Sequence, residues 1–276
     1  MLRIIVDSGS SIKQDEKEKY NVDIIPLRYM MGDEEYLDGI DLSIDEFYKL
    51  LIEHKHFPKT SLPNLEELKA MVDGYVSAGD DVIVVTISSK ISGTHSAISK
   101  MFEEYKTVRV VDSLSAVGGI KLIVKEINKM RDKSLDEIVE RLEKFIPRIR
   151  IFAIPETLHY LLKGGRLSKK EWLLGTMLNI KPIITIKEGF VKVASKAIGI
   201  KKAMKTVVEL LKKHKCDKNY AIIPSYTYNK ENLDKLLEMT DDEYKSQMIE
   251  YDNLDPVIAS HWGPNAFGYI FVGDEG

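Results

Sequence analysis

The amino-acid sequence predicts a two-domain α/β protein. A parallel-sheet α/β/α domain is expected over residues 1–155, and a smaller mixed-sheet α/β domain over residues 156–276. Three observations predict this. In the first half, LRIIV (2–6), VIVVT (82–86), VRVV (108–111) and IFAI (151–154) are short, apolar and mostly β-branched. Buried parallel strands have that composition, and helical spacings separate these runs. In the second half, PIITIKEGFVKVA (182–194) is two strands around Glu188-Gly189, a hairpin signal. The boundary is expected near Pro155, ahead of a loop containing KGGR. Two domains create a crevice, and crevices are where small ligands bind.

The elements follow in order. LRIIV is the first strand and runs into VDSGSS (6–11). VDIIPLRYMMGDEEYLDG (22–39) is an extended pair around Gly32-Asp33, read as a hairpin on one sheet edge. TSLPN (60–64) precedes Leu65, Leu68, Val72 and Tyr75 at helical spacing, with Pro63 near the first turn. The strand VIVVT enters TISSKISGTHSAI (86–98), where Ala97, Ile98, Met101, Phe102 and Tyr105 repeat helically. VRVV leads into VDSLSAVGG (111–119), and SLDE (134–137) is a capping box with Ile138, Val139, Leu142 and Phe145 behind it. IFAI completes the first set of strands. After the hairpin, YAIIP (220–224), QMIEY (247–251) and YIFV (269–272) are further strands with helices between them.

Composition excludes several function classes. The chain has 276 residues, 44% hydrophobic and 30% charged, with a formal net charge of −3. No global basic field exists to recruit nucleic acid or an anionic membrane. The cluster LKKHK (211–215) reads as the solvated end of a helix. Cys216 is the single cysteine, which excludes an intramolecular disulfide and a Cys-rich metal site and fits a reducing cytoplasm. MLRIIVDS reads as a strand rather than a signal sequence, and no apolar stretch approaches the roughly 20 residues of a membrane helix.

Candidate sites lie where strands hand over to helices. TISSKISGTHSAI holds Thr86, Ser88, Ser89, Ser92, Thr94 and Ser96. In a parallel sheet the carboxyl ends of the strands form the ligand edge, and a helix opening after Ser92-Gly93-Thr94 offers N–H groups to an anion. The plainer alternative is that one hydroxyl caps the helix and the others make turns. Thr60 and Ser61 pose the same choice. Asp7 and Asp112, in the two VDS segments, either orient neighbouring groups or form local Asx turns. In YLLKGGRLSK (160–169), Gly164-Gly165 places Arg166 on a loop, suited either to a carboxylate or phosphate or to solvent. Among six histidines, His261 alone sits in a turn-rich stretch, SHWGPNAFG (260–268), as a structural ring or a proton-bearing partner to an anion. His54, His56 and His214 read as exposed on helices, whereas His95 and His159 are open.

Several catalytic signatures are absent from the sequence: GxSxG, GxxxxGK[ST], HExxH and paired His/Cys spacing. SSIK (10–13) matches S-x-x-K on two fixed positions only. The pattern points to recognition of an anion more than to bond-making.

Taken in order, VDSGSS, KTSLP, ISSKISGTHSA, VDSLSA, ETLHYLLKGGRLS, LLGTMLNIKPIITIKEG and SHWGPNAFG resemble the DegV family of fatty-acid-binding proteins, over nearly the whole chain. The resemblance implies a two-domain DegV-like fold with a long-chain fatty acid in an interdomain tunnel, no cofactor and no metal. It implies a bacterial, cytoplasmic, non-catalytic subunit of fatty acid kinase. Its partner would be a dihydroxyacetone-kinase-like ATP-binding subunit that converts the bound acid to an acyl phosphate; contact with a membrane would be transient. Carried over motif by motif, Thr60, Ser61, Ser92, Gly93 and Thr94 bind the carboxylate, with Thr60 and Ser92 leading. Arg166 and His261 belong to the head-group end or to engagement of the kinase. The chain departs from the family pattern at Asn64, where Ser is usual. It departs again at Trp262 and Asn265, where Thr and Gly are common, and in SKAIGIKKAM (195–204), which lacks the usual arginines.

Elementary energetics suit such a ligand. A carboxylate buried without partners protonates rather than stay charged, and several hydroxyls prevent this. Each buried CH₂ of the tail adds roughly 0.8 kcal/mol, so long acids bind better than short ones. Two other functions compete: a stand-alone serine hydrolase or acyltransferase using Ser92 with His95 or His261 as base, and a carrier that passes its ligand to acceptors other than a kinase.

Overall fold

The structure is a computed structural model that describes residues 1–53, 57–169, 171, 179–248 and 251–274. The chain divides into two compact units: Met1–Pro147 with Asp255–Val257, and Arg148–Leu254 with Ile258–Gly276.

The first unit is built on a four-stranded parallel sheet, ordered β2-β1-β6-β7. Its strands are β1 (Leu2–Asp7), β2 (Asp23–Ile25), β6 (Asp81–Thr86) and β7 (Val108–Asp112). Side chains alternate between the faces. Ile5, Val82 and Val84 join Leu68 and Val72 of α3 (Leu65–Ser77) and Ile98 of α4 (Thr94–Met101) in one core. The intervening Ile4, Val6, Ile83 and Val85 are equally buried and so occupy the other face. That double coverage is why these strands read as continuous apolar runs. Helix α5 (Gly118–Asn128) touches β6, and α6 (Leu135–Phe145) touches β7. The predicted capping box holds: Ser134 Oγ accepts the Glu137 N–H, and the Glu137 carboxylate accepts the Ser134 N–H. Helix α4 ends at Met101, although Phe102 continues its buried stripe.

The segment 22–39 corrects the expectation of a single hairpin. Asp23–Ile25 pairs parallel with β1. Only β3 (Arg28–Met31) and β4 (Glu34–Leu37) form the hairpin around Gly32-Asp33. Its other edge is β5 (Lys59–Ser61), so it belongs to a separate three-stranded sheet, β4-β3-β5. Two short helices, α1 (Lys17–Tyr20) and α2 (Ile44–Glu53), complete this unit.

The second unit carries a six-stranded mixed sheet, ordered β10-β9-β8-β13-β11-β12. Here the sequence expectation for IFAI fails. Strand β8 (Ile149–Ile154) pairs antiparallel with β13 (Phe267–Val272) and sits inside this sheet, not the parallel one. It is mostly buried here too, so its apolar composition did not tell which sheet it joins. The hairpin β9 (Ile180–Lys187) to β10 (Phe190–Ile198) forms as expected, with Glu188 at φ 53° and Gly189 at φ 81°. Positive φ at both central residues is the type I′ requirement. Strand β11 is Ile223–Tyr226, displaced toward the C-terminus from YAIIP. QMIEY lies partly outside the described residues, and β12 is the short Asp252–Asn253. Two helices carry most of the remaining core. Met204, Val207 and Leu211 of α8 (Ile200–Lys213) and Leu233 and Leu236 of α9 (Glu231–Glu238) pack with Phe152, Phe267, Tyr269 and Phe271. Helices α7 (His159–Lys163), α10 (Asp242–Lys245) and α11 (Pro256–Trp262) are short. Among the described residues no helix is long and apolar enough to cross a membrane.

The β8–β13 register depends on Gly268. A Cβ there would overlap the Phe152 carbonyl oxygen and lie 2.5 Å from Ala153 Cα. Gly268→Ala is therefore expected to cost about 1–3 kcal/mol of stability through overpacking, read as a lower urea midpoint. An unchanged midpoint would contradict this pairing.

Candidate functional site

The hydroxyl cluster sits at the carboxyl end of β6, between its neighbours β1 and β7. Thr86 and Ser88 are fully buried and shape the chain locally. Ser88 Oγ accepts the Lys90 N–H at 3.2 Å, and its carbonyl accepts the Ile91 and Ser92 N–H groups at 3.1 Å each. Ser88 is thus a turn former, and Ser89 follows it in the same turn. Helix α4 then opens from Gly93, which has no side chain to cap it. The expectation that one hydroxyl is the N-cap is not met.

Ser92 and Thr94 form a pair instead. Their hydroxyl oxygens lie 2.9 Å apart, and Ser92 Oγ also takes the Thr94 N–H at 3.3 Å. Thr94 is fully buried, while Ser92 is half-buried. Either hydroxyl can donate in this pair, and Ser92 Oγ keeps an accessible side. The nearby base candidate is also engaged. His95 Nδ1 lies 3.1 Å from Thr86 Oγ1, and its Nε2 lies 3.2 Å from Ser99 Oγ. A nucleophile needs its base within hydrogen-bond reach, and both His95 nitrogens have other hydroxyl partners.

Thr60 and Ser61 lie on β5, where Thr60 pairs with Tyr29 and Ser61 with Arg28. They do not cap α3. Asn64 does, accepting the Glu66 and Glu67 N–H groups. The departure from Ser at this position therefore preserves the cap. The two motifs meet: a Cβ on Gly93 would lie 3.7 Å from Leu62 Cδ2, in the loop that follows Ser61. Leu62, an exposed apolar residue beside this seat, carried no signal in the sequence.

In the second unit the structure joins the other two motifs. The His261 ring packs on Gly164 so closely that a Cβ on Gly164 would overlap Nδ1. Gly263, at φ 73°, packs likewise on the Tyr160 ring. Arg166 is half-buried, and a guanidinium N–H donates to the Gly164 carbonyl. Thr227 Oγ1 donates to the Gly263 carbonyl at 2.7 Å, bracing the turn. Asn265 adopts φ 60°, a left-handed position that Asn tolerates better than most residues, which explains how it replaces Gly. Burial, with Arg166 nearby, pushes the His261 pKa down to about 3. Of the two alternatives the sequence left open, this shift favours a neutral, structural ring over a proton-bearing partner. His214 is half-buried against the Phe152 ring rather than exposed. His54 and His56 lie outside the described residues.

A cavity of about 180 Å³ in the first unit, lined by Ser8, Lys13, Asp38, Ser43 and Asp255 among others, includes none of the predicted site residues. Lys13 of SSIK is held there by Asp255 at 2.5 Å. No cluster of metal-ligating side chains occurs among the described residues.

Comparisons with known proteins are consistent across sequence and structure. A family profile described as "Uncharacterised protein, DegV family" matches residues 1–274. A DegV domain-containing protein from Clostridium acetobutylicum is 33% identical, over 98% of each chain. A fatty acid binding DegV family protein from Streptococcus agalactiae superposes with a TM-score of 0.89 at 25% identity, over 100% of this chain and 99% of that one. A stearic acid-binding protein from Eubacterium ventriosum gives a TM-score of 0.86 at 25% identity, over 99% and 98%.

The histidine generates a pH prediction. Its folded pKa lies below the unfolded value of 6.5, so the folded state binds fewer protons between about pH 3 and 6.5. The stability contribution is complete above pH 6.5 and is lost as pH falls. Between pH 7 and 4.5 the wild type is expected to lose more stability than His261→Gln, by on the order of 2 kcal/mol in denaturant titrations. Parallel losses in the two proteins would contradict a buried neutral ring.

Proposed function

Because the chain belongs to the DegV family, we propose that it binds a long-chain fatty acid and seats the carboxylate on Ser92 and Thr60, helped by Ser61, Thr94 and the backbone at Gly93. The observation that carries this reading is the half-buried Ser92 hydroxyl, paired with Thr94 at a helix start that no side chain caps. Structural relatives described as fatty acid binding or stearic acid-binding support the ligand class.

The chemistry favours presentation of the acid over its turnover. Neutral hydroxyls hold a carboxylate or a carboxylic acid, and the oxygen they leave uncovered stays nucleophilic. A bidentate arginine clamp would occupy both oxygens. We therefore assign the chain as the non-catalytic acyl-binding subunit of a two-component kinase in the bacterial cytoplasm. A dihydroxyacetone-kinase-like subunit then supplies ATP and forms the acyl phosphate. In this proposal Arg166 and His261 serve the head-group end or the kinase contact. The serine hydrolase alternative has no support in the geometry, since both His95 nitrogens already face other hydroxyls.

Two experiments test the proposal. Denaturing mass spectrometry of the purified protein is expected to release an acyl chain. Thr60→Ala combined with Ser92→Ala should weaken palmitate binding at least tenfold without unfolding, since a hydrogen bond to a charged group contributes about 1.5–3 kcal/mol. Lipid-free protein that also takes up no added palmitate or oleate would end the fatty acid reading. In the second experiment, Arg166→Ala should keep palmitate affinity within threefold of wild type, but slow acyl phosphate formation with the kinase subunit at least tenfold. Equal losses in both assays would remove the division of labour.

A further inference from the structure

The two VDS segments take no part in the seat described above, yet both close on the loop that carries it. Strand β6 is flanked by β1 and β7, and each neighbour ends in an aspartate, Asp7 and Asp112. Each carboxylate forms the local Asx turn that the sequence allowed. Asp7 Oδ1 accepts the Gly9 N–H at 2.9 Å, and Asp112 Oδ1 accepts the Leu114 N–H at 3.0 Å. Each also reaches across. Asp7 Oδ2 accepts the Ile87 N–H at 2.8 Å, and Asp112 Oδ1 accepts the Ser89 N–H at 3.1 Å. Between them, the Ser88 N–H donates to the Ser115 carbonyl at 2.9 Å. Ser88 in turn holds the N–H groups of Lys90, Ile91 and Ser92.

We infer that Asp7 and Asp112 are positioning residues for the head-group seat: they grip the loop after β6 from both sides and so fix where Ser92 and Gly93 stand. This rests on the fatty acid reading proposed above. The turn after β7 is itself held in an unusual conformation, with Leu114 at φ 44° and Val117 at φ 49°. A β-branched residue occupies that region only when its surroundings enforce it, and the Val117 N–H donates to the Gly9 carbonyl at 2.7 Å. The turn after β1 and the turn after β7 are thereby tied together beneath the seat loop.

The two carboxylates differ in a way that makes the inference sharp. Asp7 uses both oxygens, one for each N–H, so an amide in its place offers a donor where an acceptor is needed. Asp112 uses Oδ1 for both of its bonds, so an asparagine oxygen can replace it. Asp7→Asn is expected to raise the palmitate Kd about tenfold and to speed amide hydrogen exchange at Ile87–Gly93 at least tenfold, with exchange in α3 unchanged. Asp112→Asn should stay within twofold of wild type in both readouts, and Asp112→Ala should behave like Asp7→Asn. A merely structural role would move exchange throughout the unit and would not separate the two asparagine variants. If Asp7→Asn fails to fold, the Asn/Ala pair at position 112 decides alone. Unchanged exchange at 87–93 in Asp7→Asn or Asp112→Ala, or a Kd within twofold of wild type despite faster exchange, overturns the inference. Wild-type protein that binds no palmitate would instead refute the fatty acid reading, and the exchange data would still decide whether the aspartates fix the loop.

Discussion

A carboxylate taken out of water must find donors already in place, because donors recruited afterwards cost the ordering of the groups that carry them. In the function proposed above, that constraint falls on one loop, Ile87–Gly93, at the end of β6, which is buried from Val82 to Thr86. Nearly every N–H along it is taken by an acceptor from the protein itself: Asp7, Ser115, Asp112 and Ser88. The backbone of this loop is thereby fixed from Ile87 to Ser92.

The anchoring group carries its own cost. Asp7 is almost wholly buried, and desolvation pushes its pKa up to about 7 against the two N–H bonds that lower it. The Asp7 carboxyl is thus a buried acid held by neutral donors. Backbone N–H groups hold Asp7; in the function proposed above, hydroxyls would hold the ligand's carboxylate in the same way.

Much of the fold was legible in the sequence because its signals are short. The capping box at Ser134, the type I′ turn at Glu188-Gly189 and the runs at β1, β6 and β7 each depend on residues a few positions apart. What failed were assignments needing a distant partner. IFAI has the composition of a parallel central strand, and its antiparallel place beside β13 depends on residues more than a hundred positions later. VDII reads as part of the hairpin that follows it, but it pairs with β1. At the candidate site, the sequence singled out Thr60 and Ser92 in the first unit and Arg166 and His261 in the second. It overstated hydroxyl capping, because Gly93 and Asn64 hold the cap positions. It left His261 open between a structural ring and a carrier of charge, because burial cannot be read from a turn-rich stretch.

The sequence by itself determined the fold class, the strand–hydroxyl–helix handovers and the residue types available to an acid. These are properties of periodicity and side-chain chemistry, and they hold wherever the segments finally lie. The tertiary structure alone decided that Ser88 is a turn former and that Ser92 pairs with Thr94. It also decided that Asp7 reaches a residue 80 positions away as well as its own turn. A hydrogen bond depends on distance and direction in space, and only the sheet order β2-β1-β6-β7 puts the two aspartates on either side of one loop.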